Sequence, residues 1–205
     1  MALKDLIDNQ SDIAKISSYL DKLSFEHRLK ECNGLARKQY GVLYALAKSS
    51  TPLTLQYFVP DHLPDNTEII HHGRNSLALP NAFRLFQKRF CRPAGERARL
   101  FGYNHGIVMK GIGPGYFVAK STAGNPEWAK RSGVVIDYFE VPDKNVVDEW
   151  PKVIPNSKRL QYFVYHKTRD FMRRVSQHVS IGAAYKKEKP MGVHFILCRD
   201  DKQSK

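Results

Sequence analysis

Two short basic segments contain the residue types best suited to holding an anion. The first reads His-His-Gly-Arg-Asn over residues 71–75. The Arg74 guanidinium is a planar donor that can bind a carboxylate or phosphate through two hydrogen bonds, with the Asn75 amide and one imidazole beside it. Adjacent histidines on a strand point to opposite faces, so His71 and His72 are a poor pair of ligands for one metal. Ordinary polar residues at a strand end are the alternative interpretation.

The second basic segment reads Lys-Arg-Phe-Cys-Arg over residues 88–92. Lys88, Arg89 and Arg92 add three cations beside aromatic residues, a mixture typical of an apolar pocket with a few polar anchors. A thiol beside arginines can also act as a thiolate nucleophile. No general base is identifiable near Cys91, however, and a solvated basic face with that cysteine buried is the alternative.

These two segments lead to a first functional hypothesis, a pocket for an anionic small molecule that carries a phosphate or a carboxylate. The residues predicted to bind this ligand are His71, Arg74, Asn75, Lys88, Arg89 and Arg92. The sequence identifies neither the ligand nor a cofactor. It also predicts no metal site, because Cys32, Cys91 and Cys198 lie far apart and form no Cys/His cluster.

Nucleic-acid binding is a second hypothesis, based on the C-terminal region. Residues 158–187 contain eight basic side chains and one acid, Asp170. On a helix, one stripe opposite the apolar face would contain Tyr162, His166, Arg169 and Arg173. Arginines interleaved with tyrosines can neutralise phosphates and stack on bases. A solvated outer helix face would have the same composition.

An enzyme that uses Asp137 or His105 as an acid–base group is a third hypothesis. Asp137 stands in the apolar run of residues 134–139, where burial would raise the pKa of its carboxyl group. A strand aspartate paired with an arginine or with backbone donors is the alternative. The glycine-rich segment 111–115 matches neither a Walker loop nor a dinucleotide fingerprint, and it predicts a tight turn between strands.

The elements that position these residues begin with helices in the first fifty residues. Apolar residues recur at helical spacing up to Leu23, with an interruption at residues 9–11. Ser24 predicts the N-cap of a helix that stops near residues 33–34, and a further helix is predicted over residues 35–48. We interpret residues 1–50 as a helical extension packed on a main domain of residues 51–205.

Apolar alternation and apolar runs predict strands in the main domain. Their ranges are residues 53–59, 67–72, 116–120 and 133–141. Residues 81–92 are ambiguous, and a helix that groups Phe83, Phe86 and Phe90 is favoured over a curved strand. A long helix is predicted from residues 156–157 to about 176–178, followed by a hairpin of residues 179–187 and 191–199.

This order of elements predicts an α+β fold. N-terminal helices precede a mainly antiparallel curved sheet that can curl into a partial barrel, with a C-terminal helix and a β-hairpin. The 205 residues carry a net charge of +13, and thirteen basic and four acidic side chains fall within residues 151–205. Such charge favours anionic partners. No secretory signal or membrane span is recognisable, so a cytoplasmic protein is expected, and the oligomeric state is left open.

Overall fold

A closed antiparallel β-barrel is the central element of the computed structural model, which describes residues 2–107, 109–143 and 147–201. Each strand pairs with the next one along the chain, and the last strand pairs with the first to close the cylinder. The strands are β1 (Ile69–Asn75), β2 (Leu85–Cys91), β3 (Arg99–His105), β4 (Phe117–Ser121), β5 (Val134–Asp137), β6 (Thr168–Arg174), β7 (Val179–Lys186) and β8 (Lys189–Arg199).

Helices precede the barrel and occupy several of its connections. The N-terminal ones are α1 (Leu3–Asp8), α2 (Ile13–Asp21), α3 (Phe25–Asn33) and α4 (Arg37–Leu46), which continues into a 3₁₀ turn (Ala47–Ser49). Single-turn helices follow as α5 (Leu55–Phe58), α6 (Asn81–Arg84), α7 (Met109–Ile112), α8 (Pro126–Ala129) and α9 (Gln161–Val164). Within the described ranges, no helix is long and apolar enough to cross a membrane.

Side-chain caps fix where the N-terminal helices begin. The Asp12 carboxylate accepts a hydrogen bond from the backbone N–H of Ala14, and the Ser24 hydroxyl accepts one from that of His27. The predicted interruption after α1 and the predicted Ser24 cap are therefore confirmed. The apolar sides of these helices pack on the outer faces of β7 and β8, where Ile181 and Ile196 join their cluster.

Strand alternation sends one set of side chains into the barrel and the other set outward. On β8, Phe195 and Leu197 belong to the interior cluster, whereas Ile196 and Cys198 belong to the cluster beneath the helices. The short helix α5 lies across one end of the barrel, where the Phe58 ring packs against interior aromatic residues. The connections β1–β2, β3–β4, β5–β6 and β7–β8 meet at the opposite end, because neighbouring strands are antiparallel.

The helix predicted over residues 81–92 is wrong. Residues 81–84 form only the single turn α6, and β2 begins at Leu85. The sequence favours a helix here because a strand would mix aromatic and basic residues on each face. The barrel accepts that mixture, since Phe86, Lys88 and Phe90 all face the interior while Arg89 contacts Tyr103 on the outer face.

The long C-terminal helix is also wrong, as is the strand predicted over residues 53–59. Only α9 is helical in the C-terminal segment, and β6 then runs through Arg174. The side chains of β6 alternate between the two faces of the barrel wall, as a strand requires. Met172 lies in the interior cluster, while Phe171 contacts Tyr185 on the outer face. In the earlier segment, α5 buries Leu55 and Phe58, which are three residues apart and so share a helix face.

The predicted fold class is confirmed, because N-terminal helices precede a mainly antiparallel sheet that closes into a barrel. The C-terminal hairpin is confirmed as β7 and β8, which pair from Val179–Cys198 to Lys186–Lys189 with a register shift between Ala183 and Tyr185. Its turn consists of Lys187 and Glu188, both with positive φ, as a type I′ turn requires.

A glycine in β3 tests the close packing of the barrel wall. A Cβ atom at Gly102 would overlap the carbonyl oxygen of Arg89 and the ring of Phe117. We expect Gly102→Ala to lower the free energy of unfolding by roughly 1–3 kcal/mol, as overpacked cores do. Gly124→Ala is the control, since a Cβ there meets nothing within 4 Å, and its effect should stay below about 1 kcal/mol. Equal effects in urea unfolding would contradict this account of the wall.

Candidate ligand-binding cavity

The open end of the barrel leads into a cavity of about 290 Å³. This volume is close to the lower limit of small-molecule pockets, roughly 300 Å³. The apolar side chains that line it come from three connections and two strands: Leu77, Leu79, Phe83, Phe86, Ile112, Val164, Met191, Val193 and Phe195. The walls are therefore largely apolar.

A cluster of four polar side chains lies at the base of this cavity. The Lys88 Nζ atom is 3.1 Å from Oδ2 of Asp170 and donates a 3.0 Å hydrogen bond to Oδ1 of Asn104. It also donates to the hydroxyl oxygen of Tyr138. All four residues line the cavity and all are buried, with only 3% of the Lys88 side chain exposed. The cluster thus faces the cavity from beneath its apolar walls.

Aromatic rings surround the ammonium group of Lys88. The Nζ atom lies 4.9 Å from the ring centroid of Phe195, 5.0 Å from that of Tyr138 and 5.1 Å from that of Phe117. A cation is attracted to the faces of such rings, and the attraction strengthens where water is excluded. The rings also keep the polarity of the cluster confined to the base of the cavity.

Burial and mutual attraction act in opposite directions on the Lys88–Asp170 pair. Burial lowers the pKa of Lys88 and raises the pKa of Asp170, while the attraction between the two groups opposes both shifts. Burial, together with the nearby Asp170 charge, raises the pKa of the Tyr138 hydroxyl, which therefore stays protonated. Each member of the pair is thus closer to its neutral form than it would be in water.

Strand register explains how distant residues form one cluster. Lys88 on β2 is directly opposite Asn104 on β3, and both side chains point inward. Asp170 comes from β6 and Tyr138 directly follows β5. The Tyr138 ring stacks on Tyr165, with centroids 5.3 Å apart. The Asn104 amide donates to the carbonyl oxygen of Gly115, so its other end is held toward Lys88.

Of the six predicted ligand residues, Lys88 and Asn75 line this cavity. His105, one of the proposed acid–base groups, also lies at its edge, and burial lowers the pKa of its imidazole. These three come from β1, β2 and β3. The other four predicted ligand residues do not line the cavity: His71, Arg74, Arg89 and Arg92.

The three arginines of that prediction are engaged elsewhere. Arg74 donates to the carbonyl oxygens of Asn33 and Leu35 at the end of α3. Arg92 donates to the carbonyl oxygen of Val59, 2.5 Å away, and forms an ion pair with Asp61.

Arg89 forms a 3.1 Å ion pair with Glu68. The Arg89 side chain lies outside the barrel, whereas Arg74 and Arg92 join the barrel to neighbouring segments.

His71 lies inside the barrel but below the cavity, at the closed end. Its ring is fully buried between Phe58 and Phe90. The Nε2 atom is 3.0 Å from the carbonyl oxygen of Phe58 and must donate to it. Burial lowers the pKa of this imidazole to about 3. His71 thus helps to hold α5 across the barrel end.

Asp137 faces the outside of the barrel, away from the cavity. Its carboxylate accepts hydrogen bonds from the Phe139 backbone and from Nε of Arg169, at 2.9 and 3.0 Å, and lies 3.5 Å from Lys120. This is the paired strand aspartate that the sequence left as the alternative. The arrangement gives Asp137 a structural role on the outer face of the barrel wall, where its side chain is buried.

The four residues of the proposed nucleic-acid stripe do not share a helix. Tyr162 belongs to α9 and stacks on His166 with ring centroids 4.7 Å apart. Arg169 and Arg173 belong to β6, where Arg169 pairs with Asp137 and Glu188. Arg173 donates to the carbonyl oxygens of Tyr44 and Arg131.

Most of the polar cluster, namely Asp170, Tyr138 and Asn104, is not among the site residues predicted from the sequence. A signal for Asp170 was present, because it is the one acid among eight basic residues in the range 158–187. Read as part of a β-strand, that acid occupies the same face as Met172. An isolated acid on an interior face requires a buried cation, and Lys88 is that cation. The pairing of Asp170 with Lys88 can be identified only once the fold is known.

A second concavity, the basic depression, lies near the closed end of the barrel and has a volume of about 400 Å³. Its lining contains five cationic side chains and no carboxylate: Lys48, Lys130, Arg131, Arg173 and Arg174. Lys130 and Arg131 pair with Glu127 and Glu188, which lie outside the lining. The Nε atom of Arg174 is buried and has no hydrogen-bond partner among the described residues.

No protein-family model matches the chain, and no match is found among curated proteins or solved structures. Among the described residues, no group of three or more His, Cys, Asp or Glu side chains is placed to hold a metal ion. Function is therefore inferred from the cavity, its polar cluster and the basic depression.

The buried imidazole of His71 should make stability depend on pH. The unfolded chain takes up a proton at this residue near pH 6.5, whereas the folded chain does so only near pH 3. Because the unfolded state binds more protons between these values, stability should fall as the pH falls through that window. The contribution of His71 is at most roughly 5 kcal/mol.

Urea unfolding of His71→Gln at several pH values tests this expectation. The variant should lose less stability than the unmodified protein on acidification. The control, His62→Gln, changes an exposed histidine and should reproduce the unmodified profile. Parallel profiles for His71→Gln and the unmodified protein would show that this imidazole is already charged or reachable by water in the folded state.

Proposed function

We propose that the chain binds a small, mainly apolar molecule inside the barrel, with a polar head group of that ligand against Lys88. The observation that supports this proposal is the buried Lys88–Asp170 pair at the base of a largely apolar cavity. Ligand pockets typically combine apolar walls with a small number of placed polar groups. The four-residue cluster supplies those groups.

The energetic cost of the pair favours this role over a purely structural one. Removing two charges from water is expensive, and an apolar pair of similar volume often stabilises a core equally well or better. Lys88 and Asp170 nevertheless line an accessible volume, where a ligand can reach them. Recognition of a polar head group explains both the buried charges and their position.

A neutral acceptor, such as a hydroxyl or carbonyl group, suits this cluster better than a free anion. The charge of Lys88 is already balanced by Asp170 at 3.1 Å. A carboxylate ligand would place a second negative charge beside Asp170, which is unfavourable in a low dielectric. Burial raises the pKa of Asp170, so an anionic ligand, the class first suggested by the sequence, would bind best when Asp170 is protonated.

The open end of the barrel offers an apolar route to the cluster. Several large apolar side chains that line the cavity are at least 38% exposed: Leu77, Leu79, Phe83, Val164 and Met191. Exposed apolar residues that continue into a cavity favour an apolar ligand over a strongly hydrated one. Their contribution complements the polar head-group site.

Calorimetric titration with octan-1-ol tests ligand binding in the barrel. Burying an eight-carbon chain should stabilise the complex by about 6 kcal/mol before the cost of association is subtracted, so saturable binding heat is expected. Val193→Trp, which fills the cavity, should weaken binding by at least about tenfold. Val42→Trp introduces the same ring at a position that is 38% exposed on α4, and it should leave binding unchanged.

Titration with octanoate distinguishes the two head-group classes. Octanoate should bind more weakly than octan-1-ol near neutral pH and should gain affinity as the pH falls. No heat with either compound, or equal loss in both tryptophan variants, would contradict ligand binding in this cavity.

A second candidate function, binding of an inorganic or phosphate-bearing anion, is favoured by the basic depression. Its lining contains five cationic residues and no carboxylate. Concentrated cations of this kind attract multivalent anions. The nucleic-acid hypothesis fits this surface less well, because its four residues do not form a single stripe.

Binding of pyrophosphate provides the test of the basic depression. The double variant Lys48→Gln/Lys130→Gln should weaken binding by at least about fivefold, and added salt should weaken it further. Lys15→Gln/Lys38→Gln, at exposed positions on α2 and α4, is the charge-matched control and should have little effect. Equal losses in both variants would indicate non-specific attraction to net charge, and retention of single-stranded RNA at physiological salt would favour the nucleic-acid hypothesis.

A further inference from the structure

The polar cluster contains an amine nucleophile, which head-group recognition alone does not require. We propose that Lys88 Nζ condenses with the carbonyl group of an aldehyde or ketone held in the barrel and forms an imine. This inference rests on the proposed function, because a small molecule must first occupy the cavity. It specifies the ligand class as carbonyl compounds with an apolar body.

The position of Nζ supports this chemistry. The atom lies at the base of the cavity and not in a sealed core, so the end of a seated ligand can approach it. Rings of Phe86, Phe117 and Phe195 lie within 5.7 Å of Nζ and leave little room for water around the amine. Condensation releases water, so a site that excludes water favours the imine over its hydrolysis.

Asp170 supplies the base that an ammonium group needs before it can attack. Its Oδ2 atom is 3.1 Å from Nζ and 3.3 Å from the hydroxyl oxygen of Tyr138. Burial moves Lys88 and Asp170 toward their neutral forms, so transfer of one proton between them costs less than it would in water. Tyr138 can donate its hydroxyl proton to a developing alkoxide, and Asn104 fixes the direction of Nζ.

The atoms and charges balance without a further reactant. Asp170 takes one proton from the Lys88 ammonium, and the nitrogen lone pair attacks the carbonyl carbon. Proton transfer to the oxygen gives a neutral carbinolamine. Asp170 then returns its proton to the hydroxyl group, which leaves as water while the C=N bond forms. Overall, an ammonium and a carbonyl compound give a protonated imine and one water molecule, with Asp170 again ionised beside the new cation.

Reductive trapping tests the imine directly. The full chain is incubated with octanal and cyanoborohydride, which converts an imine into a stable secondary amine, and peptides are mapped by mass spectrometry. We expect the octyl adduct at Lys88 to form at least about tenfold faster than at surface lysines, because the ligand is held beside the amine. Saturating octan-1-ol, which cannot form an imine, should suppress this adduct.

Two variants separate chemistry from folding. Lys88→Met/Asp170→Leu removes both buried charges together, which preserves packing better than leaving one charge unpaired. It should lose the adduct at the barrel base while keeping its thermal transition. Lys189→Met removes an exposed lysine at the start of β8 and should leave Lys88 labelling unchanged.

The outcomes distinguish this inference from the proposed function. If octan-1-ol binds in the cavity but octanal labels only surface lysines, the imine is overturned and ligand binding remains. If neither compound occupies the cavity and Lys88 is unlabelled, both proposals fail. Selective Lys88 labelling that octan-1-ol suppresses supports both. Selective labelling without measurable alcohol binding supports the imine and contradicts reversible binding of neutral alcohols.

Discussion

Pairing of β1 with β8 is the interaction on which the remaining structure depends. The two strands lie at opposite ends of the barrel sequence, and five residue pairs join them from His71–Arg199 to Asn75–Phe195. Closure leaves neither strand with an unpaired edge and defines an inside in which a lysine and an aspartate can meet. The N-terminal helices then cover the outer faces of β7 and β8, and α3 also contacts β1 across this junction.

The basic composition has a structural explanation as well as a functional one. Several arginines donate to backbone carbonyl oxygens that helix ends and loops leave unpaired: Arg28, Arg74, Arg84, Arg92, Arg173 and Arg199. A guanidinium can satisfy several such acceptors at once, because its donors form a planar fork. Part of the net charge of +13 therefore joins segments of the fold, and overall charge is a poor guide to where a ligand binds.

The sequence predicts those elements whose pattern is local. The Ser24 cap, the break after α1 and the hairpin of β7 and β8 each depend on neighbouring residues, and each is present. The sequence pattern favours helices in the segments around β2 and β6, because polar residues at alternate positions conceal their strand character. Lys88 and Asp170 are those residues, and each is compatible with an interior face only because the other is there. Such a pair, eighty-two positions apart, is not visible to local pattern analysis.

The helix α5 has a kinetic consequence for any molecule held in the barrel. Phe58 and His71 fill the end of the barrel below the polar cluster, so a ligand has no passage through it. Arrival and departure must share the open end, and a second molecule cannot push the first one out from behind. The residence time is then governed by the loops at that end and by the contacts at the base. Exchange therefore proceeds one molecule at a time, with an empty barrel as an obligatory intermediate.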